Sequence, residues 1–216
     1  MHLNETAATW PPGRPEIPSP WAPQPPSPAP QPILPSWLEP TAITLERELA
    51  DRLLQQRVIL VSGHLDDPLA SHVAAQLLLL DAHSNDPIKL HLSATDAELE
   101  PALALAAAID LITSPVHVVA RGTVRGPAVL VLAAAAQREA HRHTTFVLST
   151  PDYTAEGTAD ELTALADQHE HQLARVRDLI ATATGRAATE IAADLATGKV
   201  LSADEAKEYG LVSRLL

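Results

Sequence analysis

The sequence predicts an α/β fold with a parallel sheet, running from residue 41 to the C-terminus. Two observations support this prediction. Short runs of branched apolar residues, typical of buried strands, alternate with longer segments in which leucine and alanine recur at helical spacing. Capping signals also mark where several helical segments begin. Strands that alternate with helices are the pattern of parallel α/β layers, so we expect this architecture.

The first half of this region is predicted to contain three helices and three strands. In chain order they are a helix over 43–55, a strand over Val58–Val61, a helix that passes through Leu77–Leu80, a strand over Ile88–Leu92, a helix over 99–112 and a strand over Val116–Ala120. Asp67 is the expected N-cap of the second helix, and Pro68 suits its first turn.

The second half is predicted to be mainly helical. An Ala-rich helix is expected over 127–138, followed by a fourth strand over Phe146–Leu148. Two capping boxes, Thr158 with Glu161 and Ser202 with Glu205, open a long helix that Gly185 ends and a last short helix. The apolar face of the long helix is predicted to contain Leu162, Leu165, His169, Leu173, Val176 and Ile180.

Composition excludes several classes of function. The chain has 216 residues, no cysteine and a formal net charge of −12. Disulfides and thiolate chemistry are excluded, and the negative charge argues against a nucleic-acid or anionic-membrane partner. No apolar run approaches the ~20 residues of a membrane span, and no secretory signal is found. We therefore expect a soluble, cytoplasmic protein. We also expect no cofactor, because Gly122 and Gly126 are not followed by the Gly-Lys-Ser/Thr of a phosphate loop.

Residues 1–40 have a different composition from the rest of the chain. They hold 13 of the 19 prolines, together with Trp10, Trp21 and Trp37. Proline lacks a backbone donor, so this extension is predicted to be disordered or polyproline II rather than part of the folded domain, 41–216. The tryptophans suggest a docking tail, and a plain linker is the alternative.

Three stretches carry a resemblance to a known family. The first is Asp51–Leu60 (DRLLQQRVIL), followed by Gly63, an acidic pair and Ala75–Leu80 (AQLLLL). The second is Thr184-Gly185, and the third is Leu201–Val212 (LSADEAKEYGLV). In this order they resemble the ClpP family of Clp protease subunits, which are serine peptidases. The resemblance implies a ClpP/crotonase-type spiral of ββα units with a long protruding handle helix. It also implies heptameric rings paired through that helix, with Leu173 at the contact.

The family's chemistry needs a serine, a histidine, an aspartate and a Gly-Gly turn that supplies backbone donors to the oxyanion. By the resemblance, the serine should fall between residues 119 and 128, on Val124 or Gly126, and neither carries a hydroxyl. There is no serine between Pro115 and Leu148. Thr123 is the one hydroxyl in this turn, and it would still need a base beside it.

The other three elements are also replaced. Ser149 stands in the place of the histidine, and a hydroxyl cannot act as a base near neutral pH. Gly198 stands in the place of the aspartate, with Asp194 one helical turn earlier as a solvated residue. Asp96 and Ala97 replace the two glycines, which brings a negative charge to where an oxyanion would form. The sequence thus predicts a ClpP-like subunit that cannot hydrolyse peptides.

Other interpretations stay open at this point. His141 with His143, and His169 with His171, lack a third metal ligand, so we expect surface histidines and no metal. A crotonase-type acyl-CoA enzyme shares the fold, and a stand-alone regulator could bind partners through the Pro-rich tail. The resemblance implies a homo- or hetero-oligomer with Clp peptidase subunits. Docking of an ATPase unfoldase is doubtful, because the family's docking clefts use aromatic residues and aromatics are only 3% of this chain.

Overall fold

The computed structural model describes residues 42–151, 153–154 and 156–216, with side chains from Glu48 onward. The predicted Pro-rich extension and its three tryptophans lie outside the described residues. All described residues belong to one compact unit, Pro40–Leu216.

Helices and strands alternate along the described chain. The elements are α1 (Ala42–Gln55), β1 (Val58–Leu65), α2 (Asp67–His83), β2 (Ile88–Ala97), α3 (Leu99–Leu111), β3 (Val116–Ala120), β4 (Thr123–Arg125), a 3₁₀ turn (Gly126–Ala128), α4 (Val129–Ala133), β5 (Gln137–Ala140), β6 (Thr145–Leu148), α5 (Ala159–Thr184), α6 (Ala188–Thr197), β7 (Lys199–Ser202), α7 (Ala203–Tyr209) and β8 (Arg214–Leu215).

Two sheets organise these elements. The larger sheet has five parallel strands in the order β1-β2-β3-β5-β8. The smaller sheet has the order β4-β6-β7, in which β4 and β6 are parallel and β6 and β7 antiparallel. The predicted α/β fold with a parallel sheet is confirmed.

The main core lies on one face of the larger sheet. Alternate residues of β2, among them Ile88, Leu90 and Leu92, are 0% exposed. They join the hydrophobic core with Leu77 of α2 and Leu105 of α3. Because side chains alternate along a strand, Lys89 and His91 of β2 lie on the opposite face, away from these helices.

The start of α2 differs from the prediction by one residue. Asp66, not Asp67, is the N-cap, because Asp66 has an extended backbone and its Oδ1 accepts a hydrogen bond from Leu69 N at 3.0 Å. The strands on either side of α2 are also longer than predicted. Both β1 and β2 continue past their apolar runs, to Leu65 and Ala97.

The predicted helix over 127–138 is wrong in its second half. The helical part ends at Ala133, and Gln137–Ala140 form β5, which pairs in parallel with β3. All five residues of α4 are buried, so the run is apolar on every side and gives no helical periodicity from which its length could be read. Pairing within the sheet overrides the helical propensity of the alanines.

The prediction of a helical C-terminal part is also incomplete. It misses β7, which pairs with β6, and β8, which adds to the edge of the larger sheet through β5. Both strands are four residues or shorter, too short to show alternation. The two predicted capping boxes are confirmed at Thr158 and Ser202.

The long helix α5 has two different halves. Its C-terminal half packs into the core through Val176 and Ile180, which are 4% and 1% exposed. Leu173, expected at a contact between rings, also packs against the core of its own chain. Leu162, in the N-terminal half, is 38% exposed. Within the described residues, no helix combines the length and apolar character that a membrane span would need.

Candidate functional site

A cleft of about 840 Å³ lies where several elements of the two sheets end. It is bounded by the end of β2, the start of α3, the passage from β4 into the 3₁₀ turn, the segment after β6 and one face of α5. Four of the predicted site residues line it together, namely Asp96, Ala97, Gly126 and Ser149. Three segments that lie 23 to 53 positions apart in sequence thus meet where the resemblance implied one site.

Gly126 and Val124 occupy different environments. Gly126 opens the 3₁₀ turn with a φ of +56°, and a Cβ built on it would lie 3.5 Å from Ser149 Oγ. Val124 is fully buried in β4, where it pairs with Phe146 of β6. Of the two candidates for the nucleophile position, only Gly126 lines the cleft.

Asp96 and Ala97 are the last two residues of β2, in extended conformation rather than in a glycine turn. The N–H of Ala97 donates to Oδ1 of Asp96 at 3.0 Å. Oδ2 of Asp96 lies 3.3 Å from Nδ1 of His64. A backbone donor that could serve an oxyanion is therefore occupied by a carboxylate, which would also repel a developing negative charge.

Ser149 directly follows β6 and is partly buried at the cleft wall. Among the hydrogen bonds of the described residues, none joins a histidine to a serine or threonine hydroxyl.

Gly198 lies outside the cleft lining. It is the C-cap of α6, with a φ of +68°. It still lies close to the segment of Ser149, because Leu148 pairs with Lys199 across β6 and β7. Gly198 has no side chain and does not line the cleft, so this position contributes no group to it.

Asp194 is not the solvated residue that the sequence suggested, since its side chain is only 15% exposed. Its Oδ2 accepts a hydrogen bond from Tyr209 at 2.6 Å, and its Oδ1 lies 2.9 Å from Lys199 Nζ. Burial disfavours the charged form, but the bonds from Tyr209 and Lys199 outweigh it and hold the pKa of Asp194 below its usual value. Burial, and then the bond to Asp194, raises the pKa of Tyr209. Asp194 is thus committed to a structural network.

Sequence reasoning missed several residues that line the cleft. His64 lies between two carboxylates, with Nδ1 facing Asp96 and Nε2 3.3 Å from Glu98. The rings of Tyr153 and His169 stack, with centroids 4.2 Å apart. These partners are far apart in sequence, and no spacing rule connects them. The sequence places His169 on the apolar face of α5, and periodicity gives no sign of its stacking on Tyr153.

The described residues contain no group of three or more histidines, aspartates and glutamates arranged to hold a metal ion. His141 and His143 lie in an exposed turn after β5, with ring centroids 6.1 Å apart. The described part of the cleft therefore offers concavity and side chains of both charges.

Comparison with known proteins agrees with the fold. The profile of the family described as "Clp protease" matches residues 44–216. A relative from Rhodococcus jostii, "ATP-dependent Clp protease proteolytic subunit 3", is 30% identical over 78% of this chain and 85% of its own length. "ATP-dependent Clp protease proteolytic subunit 1" of Thermobifida fusca is 27% identical over 85% of each chain. "ATP-dependent Clp protease proteolytic subunit 3" of Rhizobium etli is 29% identical over 81% of this chain and 91% of its own.

Proposed function

The chain belongs to the Clp protease family, and from this premise we propose that it is a non-catalytic subunit of a Clp peptidase ring. In this role it would fill a place in the ring wall and leave peptide hydrolysis to other subunits. The proposal combines the family's assembly with a cleft that lacks the family's chemistry.

One observation carries the proposal. Asp96, Ala97, Gly126 and Ser149 meet at one cleft, as the members of a catalytic site would, yet among the described residues no hydrogen bond joins a histidine to a hydroxyl. The Ala97 N–H is held by the Asp96 carboxylate. A single replacement could reflect a shifted alignment, but all four elements are replaced. Because the members of a triad act as a unit, their joint loss would leave no triad catalysis.

The family's fold without the family's catalytic residues favours a role in assembly. The helix α5 has 26 residues, and most of its N-terminal half makes little contact with the core. Leu162 lies in this half and is exposed. We propose that this half contacts another subunit, of this chain or of an active peptidase. Residues 1–40 would then be an extension outside the ring domain, and the assembly would be cytoplasmic.

Docking of an ATPase unfoldase would fall to the partner subunits. Beyond residue 40 the aromatic residues are Phe146, Tyr153 and Tyr209. Phe146 and Tyr209 are buried, and Tyr153 stacks on His169 at the cleft. This leaves no free aromatic side chain in the described part of the chain for an unfoldase loop.

Co-expression with an active Clp peptidase subunit from the same source tests the proposal. The tagged chain should elute with that subunit as one large species in size-exclusion chromatography. A tagged chain that stays monomeric in the presence of the active subunit would favour the stand-alone regulator instead. Cleavage of a fluorogenic peptide by the chain alone would show that it is a peptidase.

A further inference from the structure

The lining of the cleft is acidic. Four of its side chains carry a carboxylate and one carries a guanidinium, namely Asp67, Asp96, Glu98, Glu100 and Arg125. All five of these residues are exposed, so their charges face solvent in the free chain. At neutral pH the cleft therefore presents an excess of negative charge to an occupant.

None of these carboxylates is neutralised by a permanent cation of the described chain. Asp96 and Glu98 share His64, whose Nδ1 and Nε2 each lie 3.3 Å from a carboxylate oxygen. The side chain of His64 is 47% exposed, and one imidazole balances at most one of the two charges. Among the described residues, no lysine or arginine forms an ion pair with any of the four carboxylates.

An aromatic face lies on the wall that α5 supplies. The rings of Tyr153 and His169 stack with their planes 15° apart. Gln172 lies three residues after His169, on the same face of the helix, and its Nε2 donates to Glu100 at 2.9 Å. Tyr153 is 46% exposed despite the stack, so part of its ring stays open to the cleft. The ring and the Glu100 carboxylate thus belong to one wall.

Apolar surface completes the lining. Pro101, Pro127 and Pro151 line the cleft together with the Tyr153 ring. An ammonium group is attracted both by carboxylates and by the face of a tyrosine ring. The methylene stem that carries such a group packs on apolar surface. An organic cation matches all three features of the cleft.

We propose that the cleft binds an organic polycation of the polyamine class, whose ammonium groups face Glu98 and Glu100 while a methylene stem lies along Tyr153. The proposal rests on the lining of the cleft and holds whether or not the chain enters a Clp ring. The volume of about 840 Å³ is ample for such a ligand. Arg125 opposes a cation, but four carboxylates outnumber it.

A free polyamine fits the cleft better than a metal ion or an extended peptide does. The described residues contain no group of three or more histidines, aspartates and glutamates arranged to hold a metal ion. An extended peptide binds largely through hydrogen bonds with the backbone of its site. At the end of β2 the N–H of Ala97 is already held by Asp96 Oδ1 at 3.0 Å, whereas a polyamine needs no backbone donor.

Isothermal titration calorimetry with spermidine tests the inference on the full chain. The cleft variant is Glu98→Gln with Glu100→Gln. The matched control is Glu48→Gln with Glu208→Gln, which makes the same two substitutions at exposed positions outside the cleft and so gives the same net charge. All four side chains are exposed, so we expect both variants to keep the fold.

The cleft variant should bind spermidine about fivefold more weakly than the unmodified chain, and the control variant less than about twofold more weakly. Tyr153→Leu, which keeps an apolar side chain but loses the ring, should weaken binding about two- to fivefold. No binding of spermidine by the unmodified chain, or equal losses in the cleft and control variants, would overturn the inference. Tighter binding of a peptide of alternating lysine and leucine, with the same dependence on Glu98 and Glu100, would replace the polyamine with a protein segment.

Discussion

Gly126 and Ser149 are neighbours in the lining of the cleft, and a Cβ built on Gly126 would lie 3.5 Å from Ser149 Oγ. The resemblance to the family assigns Ser149 to the histidine and Gly126 or Val124 to the serine. In the structure, the Gly126 position adjoins Ser149, and Val124 is buried in β4. This relationship favours Gly126 as the lost nucleophile position and suggests variants that separate the two candidates.

Gly126→Ser alone should not create peptidase activity. The new hydroxyl would have Ser149, not a base, beside it, and the Ala97 N–H would still be held by Asp96. A serine at a φ of +56° should also lower the free energy of unfolding by ~1–2 kcal/mol. Hydrolysis of a fluorogenic peptide and thermal unfolding check both points. Turnover by this single variant would mean that a base has been overlooked.

Val124→Ser should be inactive as well, but for a different reason and with a larger loss of stability. Val124 is 0% exposed, so the change removes apolar contacts and buries a hydroxyl among them. We expect a loss of about 2–4 kcal/mol in the free energy of unfolding. Denaturant titration of the two serine variants side by side would show this order. The reverse order would contradict the placement of Val124 in the core.

Asp194→Asn should lower the free energy of unfolding more near neutral pH than at acidic pH. The pKa of Asp194 is held below its ordinary value of 3.8, so its contacts stabilise the fold above that pH and are lost as pH falls through the lowered pKa. With two hydrogen-bond partners affected, Tyr209 and Lys199, we expect a loss of about 1–3 kcal/mol near neutral pH.

Thermal unfolding from neutral pH down to pH about 2 measures this effect, since the two melting temperatures should converge as the carboxylate is protonated. Asp110→Asn is the matched control, because Asp110 is exposed and forms no ion pair among the described residues. A gap between Asp194→Asn and the unmodified chain that stays constant with pH would refute a role for the charge.

The two halves of α5 should respond differently to an introduced charge. Leu162→Asp alters an exposed position, so the fold should change by less than about 0.5 kcal/mol while the assembly becomes smaller. Leu173→Asp should instead destabilise the chain itself, by about 3 kcal/mol or more, because Leu173 packs on its own core. Sedimentation velocity and thermal unfolding together separate these effects. An unchanged large assembly in Leu162→Asp would remove this helix from the interface.

The sequence predicts the long and periodic elements well. The helix α5, its Thr158 capping box and its end at Gly185 follow from local rules, as do the buried runs of β1 and β3. The short strands β4, β5, β7 and β8 could not be predicted, because two to four residues show no alternation and are held by neighbours distant in sequence.

The site is predicted in part for the same reason. The resemblance to the family assigns Asp96, Ser149 and either Val124 or Gly126 to one site, and Asp96, Gly126 and Ser149 do line one cleft. The contacts that reshape the cleft, such as His64 with Glu98 and Tyr153 with His169, join residues with no motif between them. Asp194 was misplaced because its exposure depends on how α6, β7 and α7 pack around it.

Native mass spectrometry after treatment with a fluorophosphonate probe tests the central claim most directly. The chain is co-expressed with an active Clp peptidase subunit, and the intact assembly and its separated subunits are weighed. We expect a ring-sized complex in which the active subunit carries the probe and this chain keeps its unmodified mass, because no histidine of the described residues is hydrogen-bonded to a hydroxyl. The account would be contradicted if this chain gained the mass of one probe molecule, or if this chain were found only outside the complex.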